Sequence, residues 1–97
     1  MLVAHDCSNP RFAEARYNLG LQLAKQNRNE EALVHLSEAT RLKPDFLDGH
    51  LNYGVALAKS RRLDEAIAEF EAVLRMDPAN AAAKKFLEQA RALRGNK

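Results

Sequence analysis

The chain has 97 residues, 46% of them apolar and 29% charged, with a net charge of +2. That length suits one domain with a modest core, the single cysteine excludes an internal disulfide, and no apolar run approaches the ~20 residues of a membrane span. Few glycines and prolines beside abundant Ala, Leu, Glu, Lys and Arg point to an all-α chain.

Residues 1–9, MLVAHDCSN, have neither the basic start nor the long apolar stretch of a secretory signal. The expectation is therefore a cytoplasmic chain without direct membrane insertion. This leader does not continue the pattern that follows; Leu2, Val3 and Ala4 are available to fold over the start of the next element. His5, Asp6 and Cys7 read as an incidental cluster, because no further ligand stands at metal spacing. Helical periodicity then runs over 13–26, 30–42, 47–60, 64–76 and 81–94. The turns KQNRNEEA and KSRRLDEA separate helices one from two and three from four. Asn27 suits a left-handed helix stop, and Arg61 at the matching place suits it less. Asn29 and Asp64 are the expected N-caps, with Glu30, Glu31 and Glu65 favourable in the first turns.

The elements repeat. Pro10, Pro44 and Pro78 lie 34 residues apart, and sliding 10–43 onto 44–77 aligns eleven identical residues, among them Gly20 with Gly54 and Ala32 with Ala66. A glycine inside a helix costs ~1 kcal/mol against alanine. Two at one phase make sense where another helix crosses closely. The segments YNLGLQLAK and LNYGVALAK are each apolar on more than one side. Leu19, Gly20 and Leu23, with Tyr53, Gly54 and Leu57, are assigned to the paired helix. Tyr17, Leu21 and Ala24, with Leu51, Val55 and Ala58, form a second stripe that this packing does not need.

The period, the proline phase and the small residues together resemble the tetratricopeptide repeat. The matching residues are Leu19, Gly20, Leu23, Ala32, Leu36, Ala39 and Pro44, then Tyr53, Gly54, Leu57, Ala66, Phe70, Val73 and Pro78. The family's early tryptophan is replaced by Arg16 and His50. The resemblance implies antiparallel helix pairs stacked as a short right-handed solenoid of about five helices. Repeat one would cover about 13–46, repeat two about 47–80, and a final solvating helix about 81–94, so that 10–97 form a single domain. In that last helix Glu88 takes the glycine's place, which forbids a further close crossing. Lys84, Lys85, Arg91 and Arg94 read as its solvated face, with Arg91 and Arg94 complementing the helix C-terminus.

The residues offer no catalytic constellation and no cofactor site. His35 and His50 lack a ligand partner, no Ser stands in a Gly-x-Ser-x-Gly setting, and no glycine loop could cradle a phosphate. The chain is read as a non-enzyme. Residues 10–43 carry six basic and four acidic side chains, 44–77 four and seven, and 78–97 five and one. That acidic middle argues against nucleic acid as a partner. The resemblance implies a concave groove lined by the first helix of each pair. By position it would present Tyr17, Leu21, Ala24 and Lys25, then Leu51, Asn52, Val55, Ala58 and Lys59, then Lys85 and Gln89. Of the clamp by which relatives hold acidic chaperone tails, only Asn52 is present. The expected function is a protein-interaction module taking an apolar or amphipathic peptide or helix. The alternatives are a homodimer through the apolar faces, or a terminal piece of a longer array.

Overall fold

The computed structural model describes residues 10–95. The leader readings, on Leu2 to Ala4 and on His5, Asp6 and Cys7, fall outside the described residues. Five helices follow in order: α1 Pro10–Lys25, α2 Asn29–Leu42, α3 Leu47–Lys59, α4 Leu63–Met76 and α5 Ala81–Gly95. No strand occurs among the described residues. Pro44 and Pro78 sit in turns, as their chemistry requires. Pro10 does not: it opens α1, three residues before the expected start. A proline is tolerated there because first-turn N–H groups have no intrahelical acceptor.

The two turns inside the pairs close alike. Asn27 and Arg61 both adopt the left-handed conformation, with φ of 63° and 67°. The next N–H groups, of Arg28 and Arg62, reach back to the carbonyls of Leu23 and Leu57, each at 2.9 Å. This is the six-to-one bond of a Schellman closure. The helices that follow start one residue earlier than expected, which corrects the caps. Asn29 and Asp64 lie inside α2 and α4, while Arg28 and Arg62 hold the cap positions without a capping side-chain bond. Arg62 instead forks onto Glu65, at 2.7 and 3.0 Å, and Arg28 meets Glu31 in the same way. The one side-chain N-cap bond described is at α5, where Asn80 Oδ1 accepts the Ala83 N–H at 2.9 Å.

Successive helices pack antiparallel, α1 on α2 through to α4 on α5, and α3 also touches α1 and α5. The result is two layers, α1–α3–α5 over α2–α4. The described residues measure 49 × 29 × 18 Å, and two helices of ~10 Å diameter account for the short dimension. Phe70, Leu36, Leu57 and Val73 are the largest fully buried side chains. The glycines explain the closeness. A Cβ on Gly20 would stand 2.7 Å from Leu36 Cγ, and one on Gly54 would stand 2.6 Å from Phe70 Cε1. Ala32 and Ala66, fully buried, keep the same crossing tight from the partner helix.

Leu19 departs from its assignment. It is 45% exposed and lies beside Val34, which is 63% exposed, whereas its counterpart Tyr53 is half-buried against the core. The physical reason is position in the stack. α3 is flanked by both α2 and α4, while α1 has only α2 as its paired neighbour among the described helices.

Polar contacts repeat with the fold. Arg16 Nη1 donates to His35 Nδ1 at 3.0 Å, tying α1 to α2. One repeat on, His50 Nδ1 lies 2.6 Å from Glu69 Oε1, tying α3 to α4, and His50 Nε2 lies 2.8 Å from the Pro44 carbonyl. Arg91 and Arg94 do not merely face the end of α5. They pair with Glu71 and Asp64 of α4 at 3.1 and 2.9 Å. Glu88 is exposed.

Candidate functional site

Two clefts open on the α1–α3–α5 layer. The first has a volume of about 350 Å³ and lies between α1 and α3, over Leu36 of α2. Leu21, Ala24 and Lys25 form one wall; Asn52, Val55, Ala56 and Lys59 form the other. The second, of about 430 Å³, lies between α3 and α5, over Phe70 of α4. Its walls are Val55, Ala58 and Lys59 on one side and Phe86, Gln89, Ala90 and Leu93 on the other, with Arg61 and Leu63 at one end. Val55 and Lys59 border both clefts and make the ridge between them.

The second cleft is the first moved by one repeat. Adding 34 to Leu21, Ala24, Lys25 and Leu36 gives Val55, Ala58, Lys59 and Phe70; adding it to Asn52, Val55, Ala56 and Lys59 gives Phe86, Gln89, Ala90 and Leu93. The backbone is the same and the lining differs: Phe replaces Leu36 and Asn52, Leu93 replaces Lys59, Val55 replaces Leu21 and Gln89 replaces Val55. The rings of Phe70 and Phe86 stand 5.7 Å apart in the second cleft, within the range where tilted aromatic pairs attract.

Eight of the eleven expected groove residues line these clefts: Leu21, Ala24, Lys25, Asn52, Val55, Ala58, Lys59 and Gln89. Tyr17, Leu51 and Lys85 line neither. They are one row, each 34 residues from the next. Tyr17 turns its ring to Phe46, with centroids 4.8 Å apart. Its hydroxyl accepts a bond from Asn52 Nδ2 at 3.0 Å. Partial burial pushes the Tyr17 hydroxyl pKa up, helped by the nearby Asp48 charge and opposed by the Asn52 bond, so it stays protonated. Asn52 also donates to the Asp48 carbonyl, at 3.0 Å. Both amide hydrogens are thus committed, and Asn52 braces α1 against α3 with only its carbonyl oxygen left to meet a ligand. The second stripe is not wholly surplus: Tyr17, Ala24, Leu51, Val55 and Ala58 also pack against the edge of the core.

The sequence reading missed the cleft floors Leu36 and Phe70, the walls Ala56, Phe86, Ala90 and Leu93, and Arg61 with Leu63 at the end. The repeat itself could have found most of them. Applying the 34-residue shift to Lys25 and Lys59 reaches Leu93 directly.

Among the described residues no three His, Cys, Asp or Glu side chains are grouped to hold a metal, and no helix is long and apolar enough to cross a membrane. The sequence pattern of the tetratricopeptide repeat matches residues 2–45 and again 17–81. The chain belongs to the tetratricopeptide-repeat family. Its repeats are generally protein–protein interaction modules, and typically scaffolds without catalysis of their own. The first match begins at residue 2, earlier than the repeat read from the sequence at Pro10. No curated protein matches the chain significantly.

Proposed function

We propose that this tetratricopeptide-repeat chain is a protein-interaction module that takes a peptide or helical segment of a partner along the α1–α3–α5 face. The observation that carries this reading is the pair of clefts in one register, lined mainly by apolar atoms and floored by Leu36 and Phe70. Clefts of a few hundred Å³ with a small number of polar groups are the usual form of a binding site, and an amphipathic segment in an apolar groove is a recurring mode of recognition. Leu93, 54% exposed on the second cleft, is a large apolar side chain that no packing role explains.

The test is selection from a random-peptide display library on the full chain, with Leu21→Glu and Leu93→Glu as paired variants. Leu21 is half-buried and Leu93 exposed, so both variants should keep the wild-type helicity and melting temperature within a few degrees. The wild type should enrich a consensus, and each variant should lose it by tenfold or more. Enrichment of the same peptides by all three proteins would refute the reading. A concentration-dependent doubling of mass, abolished by Leu93→Glu, would assign the face to a second copy of the chain instead.

A further inference from the structure

The differences between the two clefts name the partner's chemistry. Lys25 and Lys59 stand on opposite walls of the first cleft, and Lys59 and Arg61 border the second. No acidic side chain lines either cleft. Five carboxylates pair with arginines outside the clefts: Glu31 with Arg28, Glu38 with Arg41, Glu65 with Arg62, Glu71 with Arg91, Asp64 with Arg94. Lys25, Lys59 and Arg61 form no ion pair among the described residues. The far side of the second cleft is largely apolar, with Phe70, Phe86 and Leu93 where the first cleft has Leu36, Asn52 and Lys59; Gln89, in the place of Val55, is its uncharged polar group.

We infer that the two clefts read a partner segment as a pair of unlike anchors: a carboxylate side chain between Lys25 and Lys59, and a bulky apolar side chain against Phe86 and Leu93. This rests on the groove reading proposed above and adds to it the charge and order of the ligand. The clefts lie on either side of α3, a helix is ~10 Å across with its side chains, and three residues of extended chain span ~10 Å. The two anchors are therefore about three residues apart in an extended ligand. Lysines free of internal partners need no pair broken before they meet the ligand, and their attraction is exposed, hence modest and sensitive to salt.

The probe is a fluorescein-labelled decapeptide with an Asp–Glu pair and a Phe–Leu pair separated by two alanines, made in both orders. Its controls carry Lys–Lys for the acidic pair or Ser–Ser for the apolar pair. Fluorescence anisotropy on the full 97-residue chain at ~50 mM salt should show one order of the probe binding about tenfold more tightly than its Lys–Lys control. The gap should shrink at ~500 mM salt. The double variant Lys25→Glu, Lys59→Glu should reverse the preference, and Leu93→Ser should remove most of the preference for Phe–Leu over Ser–Ser. Reversal is the decisive result, because a variant that merely unfolds cannot gain affinity for the Lys–Lys peptide. Equal affinity for acidic and Lys–Lys peptides, or no binding of either at millimolar concentration, overturns this inference. If display nevertheless yields a consensus lost in Leu21→Glu, the groove reading survives without it.

Discussion

Both ring nitrogens of His50 face oxygens that can only accept: the Glu69 carboxylate at Nδ1 and the Pro44 carbonyl at Nε2. Filling both bonds takes the imidazolium, with an N–H on each nitrogen. Its pKa is accordingly raised, first by the bond to Glu69, then by the Pro44 carbonyl and the Glu69 charge, with burial and Arg75 opposing. A group whose folded pKa is raised stabilises fully below its unfolded value, near 6.5, and loses that contribution as pH rises through the folded value. Urea unfolding midpoints should therefore fall as pH rises from about 6 into the alkaline range. The contribution lost should be ~1 kcal/mol, the scale of a charge-assisted bond at a partly exposed site, and His50→Gln should flatten this slope. A slope unchanged in His50→Gln would place the titration elsewhere. His35, the matching histidine, meets the guanidinium of Arg16 instead of a carboxylate. The sequence showed both histidines and their helices, but not these roles. Those depend on residues 19 positions away, Glu69 and Arg16, whose helical faces meet only once the pairs close.

At the scale of a helix, the glycine crossings decide how the pairs close. Alanine at position 54 would gain ~1 kcal/mol of helix propensity. It would also set a Cβ 2.6 Å from the ring of a fully buried Phe70. Overpacking of this kind costs ~1–3 kcal/mol. The clash should win, so Gly54→Ala should lower the free energy of unfolding by ~1 kcal/mol; stabilisation in urea titrations would mean that the ring has room to move. Helix spans and their turns were legible in the sequence because they rest on periodicity, proline and left-handed stops. Arg61, poorly suited to its φ of 67°, still adopts it because the Leu57 carbonyl must be capped. The caps at Asn29 and Asp64 were misread by one and two residues, since a residue's capping tendency does not say where the preceding helix stops. Leu19 was misread because periodicity reports which side chains share a face, not whether a neighbour covers it.

The whole molecule is a line of helices, each held by its neighbours. The inner helices α2, α3 and α4 have flanking partners on both sides, while α1 and α5 each have one paired neighbour among those described. In such arrays stability is close to a sum of local and nearest-neighbour contributions, so opening should begin at the ends. Amide hydrogen exchange in α1 and α5 should run roughly tenfold or more faster than in α3 and α4; uniform protection over all five would show a single cooperative unit. Eight residues of the cleft face were legible in the sequence, because the repeat fixes which rows of α1, α3 and α5 share it. The clefts were not, because their floors come from the other layer and their outer wall from α5. The shared register of the two clefts carries one more consequence. A surface repeated without change offers a ligand several equivalent starting points, and the complex then exists as a mixture of shifted placements. Here Leu36 becomes Phe70, Asn52 becomes Phe86 and Lys59 becomes Leu93 from one cleft to the next. These replacements, with Leu21 becoming Val55 and Val55 becoming Gln89, break the translational degeneracy. A segment lying along this face meets two distinguishable stations, and sliding by one or reversing end for end changes its energy.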